Sequence, residues 1–124
     1  MKIVVLKFGG TSVGSISRIQ KVAEIIKKYA KKYKVIVLSS AMSGTTNKLI
    51  NLSKKISSNF SDHEYDTLVS AGEQISCSLL SGQLIENGIK SRSWMAWQIP
   101  IITEGKHKFS RIANIKKNQI IKFL

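Results

Sequence analysis

The sequence predicts an α/β fold with a mainly parallel sheet, and two observations support this prediction. The first is a pair of short apolar segments, residues 3–6 and 35–38, each of a length typical of a buried strand. The second is the stretch between them, in which apolar residues recur at helical spacing. A strand, a helix and a second strand form a βαβ unit with parallel strands. Strands of this kind are expected to be buried on both faces of the sheet.

The first strand leads into a glycine-rich loop. Gly9, Gly10 and Gly14 allow sharp turns and close approach of a ligand, and Ser15 can cap the helix that follows. Free N–H groups and the helix dipole favour an anion there, and Lys7 adds a positive charge. Neither the Walker A pattern nor the dinucleotide fingerprint fits these residues. The loop therefore predicts an anion site, with a plain tight turn as the alternative for the glycine pair alone.

A second polar loop, residues 39–47, follows the second strand. Ligands of open parallel α/β sheets bind beyond the carboxyl ends of the strands, so this loop is a second candidate for the site. The alternative is an ordinary connection in which Thr46 or Asn47 caps the next helix. That helix is expected to end near residue 57.

A long helix is predicted over residues 64–87, with Gly88 ending it. Its apolar stripe is expected to comprise Leu68, Ala71, Ile75, Leu79 and Gly82. Gly72 lies inside this helix, where glycine costs about 1 kcal/mol relative to alanine. Its presence indicates that another group approaches the backbone closely. Glu73 beside it, taken alone, is a solvated carboxylate.

The remainder of the chain is predicted to contain short elements. We expect a third strand over residues 89–99, ended or placed at an edge by Pro100. Two short strands, 101–103 and 110–115, would form a hairpin, and a last helix would begin at residue 117. This helix stops without a C-cap or a following strand, so we expect the chain to be an N-terminal fragment.

Composition narrows the functional classes. The net charge is +13, but the lysines are scattered, so nucleic-acid binding remains an alternative indicated by charge alone. The single cysteine, Cys77, excludes an intramolecular disulfide and is expected to be a small buried residue. No signal peptide or membrane-length apolar run is present, so a cytoplasmic location is expected. His63 and His107 are expected to be solvated, with no metal role.

Three segments, in the same order along the chain, resemble the signatures of aspartate kinases in the amino acid kinase family. They are Lys7-Phe8-Gly9-Gly10-Thr11-Ser12-Val13-Gly14, then Ser40-Ala41-Met42-Ser43-Gly44-Thr45-Thr46, then Ser70-Ala71-Gly72-Glu73. The resemblance extends over essentially the whole chain. It implies a three-layer α/β sandwich, with residues 1–124 as the N-terminal part of the kinase domain and no regulatory ACT domain.

The resemblance also implies a reaction, the transfer of a phosphoryl group from ATP to the β-carboxylate of L-aspartate. The product, 4-phospho-L-aspartate, leads to lysine, threonine and methionine. Gly9 and Gly10 would offer N–H groups to the phosphoryl oxygens, and Lys7 would neutralise the charge developing there. Thr11 and Ser12 would donate hydrogen bonds around the phosphates or the substrate. Mg²⁺ would be held mainly by the ATP phosphates and water.

On the substrate side, the resemblance implies that Ser40, Ala41 and Thr46 line the aspartate pocket and that Glu73 pairs with the aspartate ammonium group. The downstream half of such a kinase domain is missing, so we expect the chain to be inactive alone and the full-length form to be a homo-oligomer. A glutamate or acetylglutamate kinase, a nucleotide kinase and a non-catalytic anion-binding half-domain remain alternatives.

Overall fold

Two parallel strands and three long helices form the main body of the protein. The structure, a computed structural model, describes the whole chain, residues 1–124. The elements in order are β1 (Ile3–Phe8), α1 (Ile16–Ala30), β2 (Lys34–Ser39), α2 (Thr45–Ile56), α3 (Asp62–Glu86), β3 (Ile101–Glu104), β4 (Arg111–Ile115) and α4 (Asn118–Phe123).

The predicted βαβ unit is confirmed. β1 and β2 pair in parallel, with Ile3 opposite Lys34 at one end and Phe8 opposite Ser39 at the other. The crossover helix α1 begins at its predicted cap, where the Ser15 hydroxyl accepts a hydrogen bond from the backbone N–H of Arg18. The buried face of α1 consists of Ile19, Val22, Ala23 and Ile26, at the predicted helical spacing.

The core lies on one face of the sheet, between the strands and helices α1 and α3. It is built from Val13, Ile19, Val22, Ala23, Ile26, Leu80 and Leu84, with Leu6, Phe8, Val35 and Val37 of the strands packed against it. On the opposite face Ile3, Val5 and Leu38 are 53–56% exposed. Burial of both strand faces is therefore a wrong prediction for these residues, because both core helices lie on the same side. The α/β class with a parallel sheet is confirmed.

Helix α3 packs through a face that its apolar residues do not reveal. Its buried residues are Gly72, Ser76, Leu80, Ser81 and Leu84, whereas Ile75 and Leu79 of the predicted stripe are exposed. The prediction was wrong because α3 contacts both α1 and α2, and small residues allow that close packing. The predicted end is confirmed, since Gly88 has φ of +78°. The helices lack the combination of length and apolarity that a membrane-spanning segment requires.

The predicted third strand over residues 89–99 does not form. The segment is held by turn hydrogen bonds and by side-chain stacking, with Arg92 4.3 Å above the Trp94 ring and Trp94 edge-on to Phe123. The outer edge of β2 faces this segment across an apolar cavity of about 550 Å³. Cys77 is half-buried at this cavity, and burial raises the pKa of its thiol.

The predicted hairpin is confirmed as the antiparallel pair of β3 and β4, and its tip docks on the first turns of α3. The Nδ1 atom of His107 lies 2.6 Å from Oδ2 of Asp66, and the backbone N–H of Lys108 donates to the same oxygen. The His63 ring lies 3.9 Å from the His107 ring. Both histidines are exposed, as expected. The contacts of His107 with Asp66 and His63 were not predicted, because they form only when the hairpin folds back onto the helix.

Acid is expected to weaken this docking. The hydrogen bond from His107 holds the pKa of the Asp66 carboxyl below its usual range. A carboxyl with a lowered pKa in the folded state stabilises that state above its unfolded pKa, about 3.9. This contribution declines below the unfolded pKa and is lost as the pH falls through the lower folded-state pKa, so the hairpin tip should detach only in acid below that pKa. Amide shifts of His107 and Lys108 during an NMR titration measure this, and an Asp66→Asn variant that keeps the same acid transition would contradict it.

Candidate anion-binding site

Two loops meet at the carboxyl edge of the parallel pair, as the sequence predicts. The loop after β1 begins at Gly9 and the loop after β2 begins at Ser40. The Ser40 N–H donates to the Phe8 carbonyl, and the Ser43 N–H donates to the Gly10 carbonyl, both at 3.1 Å. The parallel register brings the two strand ends side by side, so the loops form one continuous surface.

The first loop presents free hydrogen-bond donors next to a positive charge. The backbone N–H groups of Gly9, Gly10 and Thr11 donate no hydrogen bond within the protein. The Lys7 ammonium Nζ lies 3.8 Å from the position that a Cβ on Gly9 would occupy. Lys7 forms no ion pair with a protein carboxylate. Adjacent free N–H groups beside an ammonium group form a cradle for an anion.

The loop is braced by a residue that the sequence reasoning missed. The Arg18 guanidinium donates a 2.7 Å hydrogen bond to the Thr11 carbonyl, and the Ser12 N–H donates to the Gly9 carbonyl at 3.0 Å. Arg18 lies in the first turn of α1, close to the loop that precedes the helix. This position near the start of the helix is the only signal in the sequence that could have indicated it. The side chains of Thr11 and Ser12 make no hydrogen bond within the protein, so their hydroxyls are available to a ligand.

The need for glycine at Gly10 comes from close packing. A Cβ at Gly10 would lie 2.8 Å from the Ala41 carbonyl oxygen, a distance that requires the backbone to move. Neither Gly9 nor Gly10 has a positive φ. The close approach predicted for this loop therefore exists, but the group that approaches is the neighbouring loop. The tight turn expected as the alternative is also present, closed by the bond from the Ser12 N–H to the Gly9 carbonyl, and close packing requires glycine at Gly10 only.

Helix α3 contacts the second loop at Ser40 and Ala41. Oε1 of Glu73 accepts a long hydrogen bond, 3.4 Å, from the Ala41 N–H, and the Ser76 hydroxyl donates to the Ser40 carbonyl at 2.6 Å. A Cβ on Gly72 would lie 2.9 Å from the Ala41 Cβ. The close approach predicted at Gly72 is confirmed. Glu73 is exposed, and one of its carboxylate oxygens also contacts the second loop.

Thr46 lies in the first turn of α2, half-buried. The helix is capped by Gly44 at φ of +81°, so the prediction of Thr46 or Asn47 as the N-cap was wrong. The helix begins earlier because a turn precedes it, in which the Thr45 N–H donates to the Met42 carbonyl. The Thr46 hydroxyl makes no hydrogen bond within the protein, and it does not bond to Glu73. Thr45, not Thr46, packs against Gly72.

The site carries opposite charges on its two sides. The Lys7 ammonium lies beside the free N–H groups of the first loop, and the Glu73 carboxylate lies beside the second loop. No group of three or more His, Cys, Asp or Glu side chains converges to hold a metal ion. The fold and the site thus define an α/β protein in which a loop with free N–H groups and a neighbouring acidic group lie at the carboxyl edge of a parallel sheet.

Comparison with known proteins agrees with this class. The sequence profile of the amino acid kinase family matches residues 2–124. The chain therefore belongs to the amino acid kinase family. Its relatives include an aspartokinase of Rickettsia felis, 44% identical over 100% of this chain and 32% of the relative. An aspartokinase of Geobacillus stearothermophilus is 50% identical over 97% of this chain and 30% of the relative.

A solved structure shows the same fold. The crystal structure of aspartate kinase from Synechocystis superposes with a TM-score of 0.67 at 45% sequence identity, covering 68% of this chain and 15% of that chain. The chain spans about a third of the length of the curated relatives it matches.

Proposed function

We propose that this chain forms the aspartate-binding and phosphoryl-binding part of an aspartate kinase, which transfers the γ-phosphoryl group of ATP to the β-carboxylate of L-aspartate. The observation that carries the proposal is the set of free N–H groups at Gly9, Gly10 and Thr11 beside Lys7. The aspartokinase relatives support the choice of substrate. The product is 4-phospho-L-aspartate, a precursor of lysine, threonine and methionine.

Phosphoryl transfer depends mainly on positioning and on stabilising charge. The N–H groups of Gly9 and Gly10 would hold the phosphoryl oxygens, and the Lys7 ammonium would neutralise negative charge as it develops in the transition state. The hydroxyls of Thr11 and Ser12 would donate to the phosphates or to the substrate. Mg²⁺ would be held mainly by the ATP phosphates and water.

L-aspartate would bind against the second loop. The Glu73 carboxylate has one oxygen on the Ala41 N–H, and its other oxygen makes no protein hydrogen bond and is available to the substrate ammonium. Ser40 and Ala41 would border the substrate, with the free Thr46 hydroxyl as a further donor. The proposal also includes a cytoplasmic location, supported by the single unpaired cysteine, and a homo-oligomeric full-length form.

A Glu73→Gln variant tests the aspartate subsite. The amide oxygen of glutamine can still accept from the Ala41 N–H, so the change removes mainly the charge. We expect the affinity for L-aspartate to fall at least about tenfold, because the variant loses one charge-assisted hydrogen bond to the substrate. NMR titration of the chain with L-aspartate measures this affinity. Glu86→Gln, at an exposed position at the end of the same helix, is the control and should bind as the wild type does.

The same titration separates the alternatives. ATP with Mg²⁺ should shift the amides of Gly9 and Gly10, and L-aspartate should shift Ala41, while L-glutamate should not. A response to ATP or phosphate without any response to L-aspartate would favour a non-catalytic anion-binding domain. An ATP-dependent hydroxamate assay on the chain tests the expected inactivity, which robust turnover would contradict. In the full-length form, acyl phosphate formed from L-glutamate but not from L-aspartate would overturn the proposed substrate.

A further inference from the structure

Helix α3 holds both ends of one peptide unit in the second loop. The carbonyl of Ser40 and the N–H of Ala41 belong to the same planar peptide group and point in opposite directions. The Ser76 hydroxyl donates to that carbonyl at 2.6 Å, and the Glu73 carboxylate accepts from that N–H at 3.4 Å. Residues 73 and 76 lie one helical turn apart on the same side of α3. The peptide unit therefore cannot rotate without losing both bonds.

Ser76 is the stronger of the two contacts. It is fully buried, with 0% of its surface exposed, so its hydroxyl has only protein partners. Serine in a helix often donates to a carbonyl of its own preceding turn, and the Glu73 carbonyl lies 3.1 Å away. The Ser40 carbonyl is closer by half an ångström, and a hydroxyl has a single proton to donate. The main hydrogen bond therefore goes to the loop.

The orientation of this peptide unit affects the glycine loop as well. The next carbonyl, that of Ala41, is the group that approaches Gly10 so closely that no Cβ fits there. The Gly10 carbonyl in turn accepts from the Ser43 N–H at 3.1 Å. A rotation of the Ser40–Ala41 peptide would move the Ala41 carbonyl, and Gly10 would have to move with it.

We propose that Ser76 is a positioning residue for the site: it fixes the Ser40–Ala41 peptide, and through Ala41 it sets the position of the anion-binding Gly10 backbone. Ser76 bonds to the Ser40 and Glu73 carbonyls and does not contact the free N–H groups of the first loop. The consequence for L-aspartate and ATP rests on the function proposed above, whereas the effect on the two loops does not depend on it.

A Ser76→Ala variant compared with Ser81→Ala tests the proposal. Ser81 is a matched control, since it is buried on the same helix and bonds only to the Ser91 hydroxyl, away from the site. Both variants should lose thermal stability to a similar extent. Only Ser76→Ala should shift the Ala41 and Gly10 amide resonances and speed amide hydrogen exchange at Ala41 about tenfold. L-aspartate and ATP should bind about tenfold more weakly to it, and Ser76→Cys should fall between the alanine variant and the wild type.

Identical amide shifts and exchange rates at Ala41 and Gly10 in the two alanine variants would overturn the proposal, whatever the ligands do. If the wild-type chain binds no L-aspartate, the proposed function fails, and the exchange rate at Ala41 still decides whether Ser76 fixes the peptide. If Ser76→Ala does not fold, Ser76→Cys provides the comparison, and wild-type exchange in that variant counts against the proposal.

Discussion

Gly72→Ala is expected to destabilise the protein by up to about 2 kcal/mol, although alanine is the better helix former. A Cβ at this position would lie 2.9 Å from the Ala41 Cβ and 3.3 Å from Cγ2 of Thr45. Both neighbours are short and rigid, so α3 would have to move away from the second loop, and overpacking of this kind costs about 1–3 kcal/mol. The gain in helix propensity, about 1 kcal/mol, offsets only part of that cost.

Gly82→Ala is the matched control. Gly82 lies in the same helix, and a Cβ there would meet nothing within 4 Å. The substitution should therefore stabilise the protein by up to about 1 kcal/mol through helix propensity alone. Urea unfolding of both variants measures the difference. A stabilisation of similar size in both variants would show that the contact of α3 with Ala41 does not constrain the helix.

Gly10→Ala is expected to reduce binding of ATP with Mg²⁺ by more than about a hundredfold. The added Cβ would lie 2.8 Å from the Ala41 carbonyl oxygen, which is backbone and has little freedom to move aside. The two loops would separate, and the free N–H groups of Gly9 and Thr11 would no longer converge with the Lys7 ammonium. The amide responses to ATP in an NMR titration measure the loss.

Gly9→Ala distinguishes this steric effect from a general intolerance of the loop. A Cβ at Gly9 would meet only the flexible end of Lys7, at 3.8 Å. Its unfolding free energy should therefore stay near that of the wild type, while Gly10→Ala should be destabilised. Equal destabilisation of the two variants would contradict the close approach of Ala41 to Gly10 as the cause.

Local pattern was sufficient for much of the fold. The apolar segments of β1 and β2, the helical spacing in α1, and the glycine that ends α3 were all predicted correctly. The prediction of a third strand over residues 89–99 was wrong, because an apolar sequence pattern does not decide whether a segment pairs with β2 or packs by its side chains. The prediction of the buried face of α3 was wrong, because the contact of α3 with α1 and α2 includes small residues, which carry no hydrophobic signal.

The residues of the candidate site also fall into those that the sequence indicated and those that only the structure revealed. The resemblance to aspartate kinases selected Lys7, the glycine loop, Ala41 and Glu73, and the structure brings these residues to one edge of the sheet. Their roles toward ATP and L-aspartate stay predictions. Ser76 and Arg18 escaped sequence reasoning because their side chains donate to loop carbonyls, 36 and 7 residues away along the chain, and no local pattern indicates such bonds.

The sequence by itself determined the βαβ unit, the glycine loop that follows its first strand and the family, because each depends on residue types at short, fixed spacing. The tertiary structure decided which sheet face is covered, which face of α3 is buried, and why Gly10 and Gly72 must be glycine. These features depend on contacts between residues that are far apart along the chain, and no local pattern encodes the distance between two backbones.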